Sequence, residues 1–267
     1  MPEARAEAVL ETACECSLDL WLGGKLTLAQ PKSAHRVGSD AALLAAAVGV
    51  AEGRIVDAGA GVGAVGLALA LRSKGVRVDL IEVDPALVRF AADNAARNGL
   101  EGRARTLRLD ILDARARRGA GVNDSSADAV VTNPPFYESR SVRVSPNPSR
   151  ARAHVHAEAT AAGAPLVNWI RACLAILKPG GRFAIVHRPE ALATILEAAE
   201  NRLGAIALLP VYPRQGGAAH RVLVCGVKGS KAPFRVAPPL VLHEADGRLT
   251  PKGEAIHRGE ALVDWGA

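Results

Sequence analysis

Short runs of β-branched and apolar residues alternate with longer amphipathic stretches along the chain from Arg54 onwards. A short apolar run bounded by turn residues is typical of a buried strand, whereas apolar positions three and four residues apart are typical of a helix. The short runs predict seven strands, at Arg54–Asp57, Val76–Glu82, Arg105–Asp110, Ala127–Thr132, Arg182–His187, Ile206–Tyr212 and His220–Val227.

The stretches between these runs predict helices at Ala64–Arg72, Pro85–Asn98, Pro165–Leu177 and Pro189–Leu203. Three of them begin with proline, which suits the first helical turn. Asn98-Gly99 and Lys178-Pro179-Gly180-Gly181 are typical of helix ends and turns. Strands that alternate with helices predict an α/β fold, with a mostly parallel sheet covered on both faces. Since only the loop Pro213 to Ala219 separates the last two strands, an antiparallel hairpin should close the sheet.

The two ends of the chain lack this alternation. Residues 1–52 are interpreted as a polar lead-in, Gly23 to Asp40, followed by an Ala/Leu helix that covers a ligand site. Residues 53–228 form the predicted main domain, and residues 229–267 are interpreted as an extended tail that packs on it. The segment Arg140 to Gly163 is rich in Arg, Ser, Pro and His, which predicts a long loop or lid.

Composition narrows the class of protein. The chain has 267 residues, of which 49% are hydrophobic and 3% aromatic, so one folded domain with an aliphatic core is expected. Its net charge of +6 favours a polyanionic partner such as RNA, although an Arg-rich coding bias accounts for part of the excess. The acidic first residues do not look like a signal peptide, and the apolar run Ala41 to Ala51 is too short to cross a membrane. We expect a cytoplasmic protein.

A glycine-rich turn follows the first predicted strand, in the pattern D-x-G-x-G-x-G formed by Asp57, Gly59, Gly61 and Gly63. Glycines let the backbone approach a ligand closely, so strand, turn and helix together predict a nucleoside-cofactor site. A pyrophosphate site would avoid the added negative charge of Asp57. The acid instead suits S-adenosylmethionine, which is cationic and has no phosphate. The alternative is a plain tight turn.

Acids also end the next two predicted strands. Glu82 stands where a carboxylate would bind both ribose hydroxyls of a cofactor, while Asp84 before Pro85 is the better helix cap. Asp110 is expected to accept from the adenine amino group, with Ile111 against the ring. The alternative for each acid is an ordinary cap or strand-end residue.

The sequence Asn133-Pro134-Pro135-Phe136 follows the fourth predicted strand. An exocyclic amine or amide nitrogen is a poor nucleophile, because its lone pair is delocalised. The Asn133 side-chain oxygen and the Pro134 carbonyl can accept its two N–H groups and direct the lone pair at a methyl donor. The prolines fix this geometry, and Phe136 offers a ring for stacking. The motif predicts amino-group methylation by a Rossmann-like class I methyltransferase; the alternative is a turn without a catalytic role.

No pattern in the sequence predicts a metal site. Cys14 and Cys16 lack a second ligand pair, and free thiols in a reducing compartment explain the four cysteines. His154 and His156 have no carboxylate or cysteine cluster beside them, so RNA contact or solvation is the better interpretation. We expect neither a metal nor a membrane partner.

From Leu22 to Pro251 the chain resembles the bacterial N6-adenine methyltransferases that modify adenine 37 of the valine tRNA anticodon loop. The more specific parts of the resemblance are Gln30 to Asp40, before a Leu-Leu-Ala helix, and the closing hairpin and tail. The resemblance implies that Val37, Ser39 and Asp40 line the methionine end of the cofactor. The family often has Tyr where this chain has Phe136, a change that preserves stacking.

The leading hypothesis is therefore methyl transfer from S-adenosylmethionine to N6 of an adenine in RNA, with tRNA position 37 implied by the resemblance. Candidate phosphate contacts are Lys32, His35, Arg36, Arg150 and Arg152, each of which could equally be a solvated surface charge. Alternatives are methylation of a release-factor glutamine, of guanine N2 in ribosomal RNA, or of a small molecule. A catalytically silent RNA-binding module is the alternative from another class.

Overall fold

The computed structural model describes residues 16–32, 36–134 and 165–266. A two-stranded hairpin comes first, with β1 at Cys16–Trp21 and β2 at Leu26–Pro31, followed by α1 at Ser39–Ala47. The main unit then runs β3 Glu52–Ala58, α2 Ala64–Arg72, β4 Gly75–Glu82, α3 Pro85–Arg97, β5 Ala104–Arg108, α4 Ala114–Gly119 and β6 Ala127–Thr132. After the gap come α5 Pro165–Ile176, β7 Leu177–His187, a 3₁₀ turn Pro189–Ala191, α6 Leu192–Ala199, β8 Leu203–Arg214 and β9 Arg221–Lys228. The tail carries β10 Arg235–Val236, β11 Leu240–His243 and α7 Pro251–His257.

The central sheet has the order β10-β8-β9-β7-β6-β3-β4-β5, with β11 beside β8. All its pairings are parallel except those of β9, which runs antiparallel to both β7 and β8. The predicted seven-stranded, mostly parallel sheet with a closing hairpin is thus confirmed, and β10 and β11 extend it. These two tail strands pair with the outer edge of β8, which would otherwise expose unpaired N–H and C=O groups.

Two apolar layers cover the sheet because its side chains alternate between faces. Ile55 and Val131 point into a cluster that contains α1, α2 and Leu26 of the hairpin. Val56 and Val130, their neighbours along the strands, belong to a second cluster with α5 and α6. Helices therefore cover both faces, as the alternation of strands and helices predicts.

The polar lead-in predicted for Gly23 to Asp40 is wrong for its first half, where β2 forms. The alternate positions of Leu26 and Leu28, which are both fully buried, are the sequence signal that indicates this strand. Tertiary contacts hold this strand: Asn94 Oδ1 accepts from Ala29 N at 2.7 Å, and Asn98 Oδ1 accepts from Thr27 N at 2.9 Å. Since both asparagines lie on or just after α3, the sequence of the hairpin alone does not specify its position.

Smaller differences lie in the tail and in two predicted elements. The tail is not simply extended, since it forms β10, β11 and α7. The Lys178–Gly181 turn is instead a bulge within β7, where Ala127 pairs with Leu177 but Ala129 pairs with Arg182. The helix predicted from Pro189 to Leu203 is interrupted and ends at Ala199. The predicted domain limits fall near the start of β3 and the end of β9, and they stay a prediction.

Candidate functional site

The glycine-rich turn joins β3 to α2 and is held by the neighbouring strand. Gly59 N and Ala60 N both donate to Ile81 O at 2.9 Å. Gly59, Gly61 and Gly63 have φ values of 74°, 57° and 87°, in the left-handed region that favours glycine. Among the described residues, no side chain lies within 4 Å of the place where a Cβ of Gly61 would stand, so the turn leaves space for a ligand.

Asp57 lies at the end of β3, 2% exposed, and its Oδ2 accepts from Gly66 N in the first turn of α2 at 2.8 Å. Burial raises the pKa of this carboxyl from 3.8 to about 7; the Gly66 hydrogen bond opposes the shift and the charge of Glu82 adds to it. The carboxylate thus anchors the helix that follows the glycine turn. Its predicted contact with a cofactor stays a prediction.

Glu82 connects the ends of two strands. Its Oε2 accepts from Gly61 N at 2.9 Å, and its Oε1 accepts from Val83 N and Asp84 N at 2.8 and 3.0 Å. Asp84 is the helix cap, as the sequence suggested, because its Oδ1 accepts from Ala86 N and Leu87 N at the start of α3. Glu82 is therefore not needed as a cap and lies half-exposed beside the glycine turn.

Asp110 and Ile111 follow β5 at the same edge of the sheet. Asp110 is exposed and its Oδ1 accepts from Leu112 N at 2.8 Å, whereas Ile111 is 2% exposed. Leu109 N donates to Glu82 O at 3.1 Å, which joins the ends of β4 and β5. The structure thus brings the predicted ribose and adenine residues to one edge, next to each other.

Asn133 and Pro134 follow β6, and the residue before them is tied to the glycine turn. Thr132 Oγ1 donates to Ala58 O at 2.8 Å. The side-chain oxygen of Asn133 is buried and makes no hydrogen bond within the described residues. Leaving a buried acceptor unpaired costs about 1–3 kcal/mol, so this oxygen is set to receive a donor from outside the described chain. Pro135 and Phe136 lie outside the described residues.

Trp169 in α5 is a residue of the site that no sequence motif marks. Its indole Nε1 donates to Thr132 Oγ1 at 2.9 Å, and its ring lies 3.1 Å from where a Cβ of Gly59 would stand. The ring therefore braces the glycine turn and the residue before Asn133 together. One partly exposed aromatic residue in an amphipathic helix carries no signal of this role, because the contact depends on how α5 packs.

At the start of α1 the predicted cofactor residues bind other parts of the protein. Val37 N donates to Gln30 Oε1 at 2.7 Å, which links this segment to the hairpin. The Ser39 hydroxyl lies 2.9 Å from His257 Nε2 of α7. Both carboxylate oxygens of Asp40 accept from Arg221 Nε, at 2.9 and 2.8 Å. The polar side chains of Ser39 and Asp40 thus hold α1 against β9 and the tail.

The predicted RNA contacts are only partly within the described residues. Lys32 and Arg36 are exposed near the hairpin, and Arg36 Nη2 forms an ion pair with Asp19 at 2.6 Å. His35, Arg150 and Arg152 lie outside the described residues. Within the described residues, no group of three or more His, Cys, Asp or Glu side chains could hold a metal, and no helix is long and apolar enough to cross a membrane.

These residues fit a cofactor that is cationic and free of phosphate. The edge of the sheet at the carboxyl ends of β4 and β5 carries the carboxylates of Glu82 and Asp110, beside an open glycine turn. The residues of that turn include no lysine or arginine that could balance the charge of a pyrophosphate. The unpaired acceptor of Asn133 stands beside that turn through the Thr132–Ala58 hydrogen bond. The arrangement can hold a nucleoside cofactor next to a substrate nitrogen that carries hydrogens.

Comparisons with known proteins show which family this chain is similar to. Residues 29–147 match the methyltransferase small domain family. A tRNA1(Val) (adenine(37)-N6)-methyltransferase from Porphyromonas gingivalis is 30% identical over 244 residues, which cover 88% of this chain and 91% of that protein. A protein of the same name from Trichodesmium erythraeum is 27% identical over 179 residues, or 66% of this chain and 70% of that protein.

A crystal structure also confirms the predicted Rossmann-like class I fold. Protein Atu636 from Agrobacterium tumefaciens, described as a predicted O-methyltransferase, superposes with a TM-score of 0.69 and 30% identity. The superposition covers 84% of this chain and 98% of that one. The relatives thus agree on methyl transfer, and their descriptions differ on the atom that receives the methyl group.

Proposed function

Because this chain belongs to the tRNA1(Val) (adenine(37)-N6)-methyltransferase family, we propose that it methylates N6 of adenine 37 in tRNA, with Asn133 holding the amino group. It is an S-adenosylmethionine-dependent N-methyltransferase, and adenine N6 in RNA is its substrate class. The specific tRNA and the roles of individual residues are the proposed part. With tRNA as its proposed substrate, the protein is proposed to act in the cytoplasm.

The strongest support for the proposed role of Asn133 comes from its side-chain oxygen. Its buried Oδ1 has no hydrogen-bond partner within the described residues, although it stands beside the glycine turn at the end of β6. An adenine amino group would supply the missing donor. A hydroxyl group has a single hydrogen and so could not use both the Asn133 oxygen and the Pro134 carbonyl. The amino group is therefore the better fit for this pair of acceptors.

The cofactor supplies a methyl group made electrophilic by the attached sulfonium. In this proposal Glu82 and Asp110 orient its ribose and adenine, with Ile111 against the ring, while Asp57 and the turn Gly59, Gly61 and Gly63 lie at its methionine end. Val37, Ser39 and Asp40 complete that end. Carboxylates at this edge also favour a cation over a phosphate-bearing ligand.

Asn133 and Pro134 act on the substrate. When the two acceptors hydrogen-bond both N–H groups, the nitrogen lone pair is less delocalised into the base and points at the methyl group. The nitrogen lone pair forms the N–C bond as the bond between the methyl carbon and the sulfonium sulfur breaks. The electron pair of that bond stays on the sulfur, which becomes a neutral thioether, and one of the two protons on the nitrogen leaves to water. Pro134 and Pro135 keep the acceptors in place before the base arrives, so little reorganisation is needed. Phe136 is proposed to stack on the base, and Lys32, His35, Arg36, Arg150 and Arg152 to contact phosphates.

The test is methyl transfer from labelled cofactor to defined substrates. Unmodified valine tRNA should accept one methyl group, and the same tRNA with guanine at position 37 should accept none. Total ribosomal RNA and a release factor serve as competing substrates. If label enters only the release factor or ribosomal RNA, the proposed substrate is wrong.

The role of Asn133 is tested separately with Asn133→Ala. Loss of an acceptor that acts in the transition state should lower kcat by about 100-fold or more while the Kd of the cofactor stays within a few-fold. Asn123→Ala is the matched control, since Asn123 is exposed in the turn before β6. Equal loss of cofactor binding and turnover in Asn133→Ala would show that Asn133 serves the cofactor instead.

A further inference from the structure

Asn133 stands in the middle of one edge of the sheet. The carboxyl ends of β6, β3, β4, β5, β7 and β8 lie at this edge, together with the start of the antiparallel β9. Neighbouring strands are about 4.8 Å apart, so the strand order gives the sequence of side chains along the edge. Moving from β6 through β3 to β5 leads to the proposed cofactor side. Moving through β7 and β9 to β8 leads away from it.

The cofactor side of this edge carries mostly carboxylates, with Arg108 at the end of β5. Glu82 ends β4, Asp110 follows β5, and Asp84 and Asp113 cap the helices α3 and α4 that begin there. Asp57 is buried beneath the glycine turn. A chain of phosphates laid across this side would meet a negative field, whereas a cationic cofactor is stabilised by it.

The opposite side carries arginines on three successive strands. Arg188 follows β7, Arg221 begins β9 and Arg214 ends β8. His187 pairs with Val222, which places Arg188 and Arg221 opposite each other at the edge. Val211 of β8 pairs with Arg221, and Arg214 follows three residues later. Arg188 and Arg214 are exposed.

Arg188 and Arg221 bring two like charges close together at the edge. Like charges placed opposite each other on antiparallel strands destabilise a sheet. Asp40 accepts from Arg221 Nε with both of its carboxylate oxygens. The local field is positive enough to act on a buried neighbour. Burial lowers the pKa of His187, and the charges of Arg188 and Arg221 lower it further, against the opposing effect of Asp40.

We propose that the RNA backbone crosses the β7–β9–β8 side of this edge, with phosphates held by Arg188 and Arg214, so that the target base enters from the side opposite the cofactor. The inference rests on the proposed function, whose base it delivers to Asn133. Arginine suits this role because its planar guanidinium can bind two phosphate oxygens at once. The base then reaches Asn133, which follows β6, from the neighbouring strand β7, after which Arg188 lies.

This route separates two ligands of opposite charge. The cationic cofactor lies on the side of Glu82 and Asp110, and the polyanion lies on the side of Arg188 and Arg214. Lys32 and Arg36 lie near the hairpin, which packs on α3 between β4 and β5, and Arg36 is paired with Asp19. They are thus placed to contact a different part of the RNA from the stretch that crosses β7 and β8.

The experiment measures binding of unmodified valine tRNA as a function of salt, together with methylation kinetics. Arg188→Ala and Arg214→Ala are compared with Arg182→Ala, which removes an exposed arginine from the middle of β7, away from the edge that carries Asn133. Arg221 is left intact because it also holds Asp40. Each test variant should raise the KM for tRNA by about 10-fold, and each should lower the slope of log affinity against log salt by about one. The kcat at saturating tRNA and the Kd of S-adenosylmethionine should stay unchanged, and Arg182→Ala should match the wild type.

The outcomes separate this inference from the proposed function. If the wild type methylates tRNA but Arg188→Ala and Arg214→Ala bind it like Arg182→Ala, the route is wrong and the proposed function stands. If the wild type binds tRNA without methylating it, and the two variants lose affinity and slope, the route is supported while the proposed function fails. If the wild type does not bind RNA at all, both fail.

Discussion

Burial keeps the carboxyl of Asp57 protonated up to a higher pH than the carboxyl of a surface aspartate. Its carboxyl is 2% exposed, contacts Gly66 N at 2.8 Å and titrates with a pKa of about 7. In the sequence it is an acid before a glycine-rich turn, which is compatible with a ligand contact or with a helix anchor. The structure shows the anchor, and a contact with the cationic cofactor would add to it.

The raised pKa of Asp57 gives stability a pH dependence. Burial disfavours the ionised form of Asp57 in the folded protein. The contribution of the carboxyl to the free energy of unfolding is therefore complete below its unfolded pKa of 3.8, and it is lost as the pH rises towards 7. Asn cannot ionise but can still accept from Gly66 N, so Asp57→Asn should match the wild type near pH 4 and exceed it near pH 8. The shift corresponds to a difference on the order of 4 kcal/mol in the free energy of unfolding.

Urea denaturation of both proteins across this pH range measures the difference, since other titrating groups cancel. A stability difference that does not change with pH would contradict the prediction. If Asp57 also contacts the cofactor, Asp57→Asn should lose a rise in affinity for S-adenosylmethionine that the wild type shows as the pH passes 7.

Trp169 gives a second prediction at this scale. Trp169→Phe keeps a ring against Gly59 but removes the hydrogen bond to Thr132, so kcat should fall about five-fold, the equivalent of about 1 kcal/mol, while the KM for the cofactor changes little. The control is Trp265→Phe, which loses a tryptophan hydrogen bond to Ala47 O at 3.0 Å away from the site. Equal kcat losses in both variants would assign Trp169 a role in stability only.

At the scale of elements, the contact of α2 with β4 sets the position of the glycine turn. Gly66 faces β4 so closely that a Cβ would lie well inside van der Waals contact of Leu80 Cδ2 and 2.9 Å from Val78 Cγ1. Both side chains are buried, so they have little room to move. The small residue lets α2 approach β4, and this approach brings Gly66 N to Asp57.

Gly66→Ala should therefore destabilise the protein by about 1–3 kcal/mol, because a well-packed core resists an added methyl group. Gly119→Ala is the matched control: Gly119 also lies in a helix, at the end of α4, and its Cβ would meet no atom of the described residues within 4 Å. That variant should be neutral or slightly more stable, since alanine favours a helix. The free energy of unfolding of each variant is measured with and without cofactor, and the values for Gly66→Ala and Gly119→Ala are compared. The packing argument is wrong if the two variants behave alike.

At the scale of the whole molecule, the two ends of the described chain meet over α1. Ser39 contacts His257, Val263 N donates to Ala46 O at 2.9 Å, and Lys25 Nζ donates to Arg258 O at 2.8 Å. Ile256 and Val263 are buried against this group. The hairpin, α1 and the tail thus form one layer over the face of the sheet that carries α2.

A chain that ends at Thr250 loses α7 and the part of this layer that the tail contributes. Burial of Ile256 and Val263 contributes about 1.5–3 kcal/mol each, so the melting temperature should fall by about 10 °C. Cofactor affinity should also fall, because the start of α1 loses its contact with His257. Thermal denaturation with and without S-adenosylmethionine measures both effects, and His257→Ala separates the single hydrogen bond from the rest. An unchanged melting temperature would contradict this account of the tail.

The sequence by itself determined the features that depend on local order. Helix α2 and strand β6 form at the predicted limits, because apolar spacing and turn residues act within a few positions. The order of strands and helices, the closing hairpin, the glycine turn and the acids at strand ends were likewise predictable. Asn133-Pro134-Pro135-Phe136 indicated an amino nitrogen for the same reason, since its chemistry is contained in consecutive residues.

The tertiary structure alone decided which distant residues meet. Asp40 meets Arg221, Ser39 meets His257 and Trp169 meets Thr132, across separations that no periodicity encodes. The hairpin depends on Asn94 and Asn98 of another element, and the tail strands depend on the open edge of β8. The packing of helix faces against the sheet determines the order of the strands. That order places Asn133 between carboxylates on one side and arginines on the other.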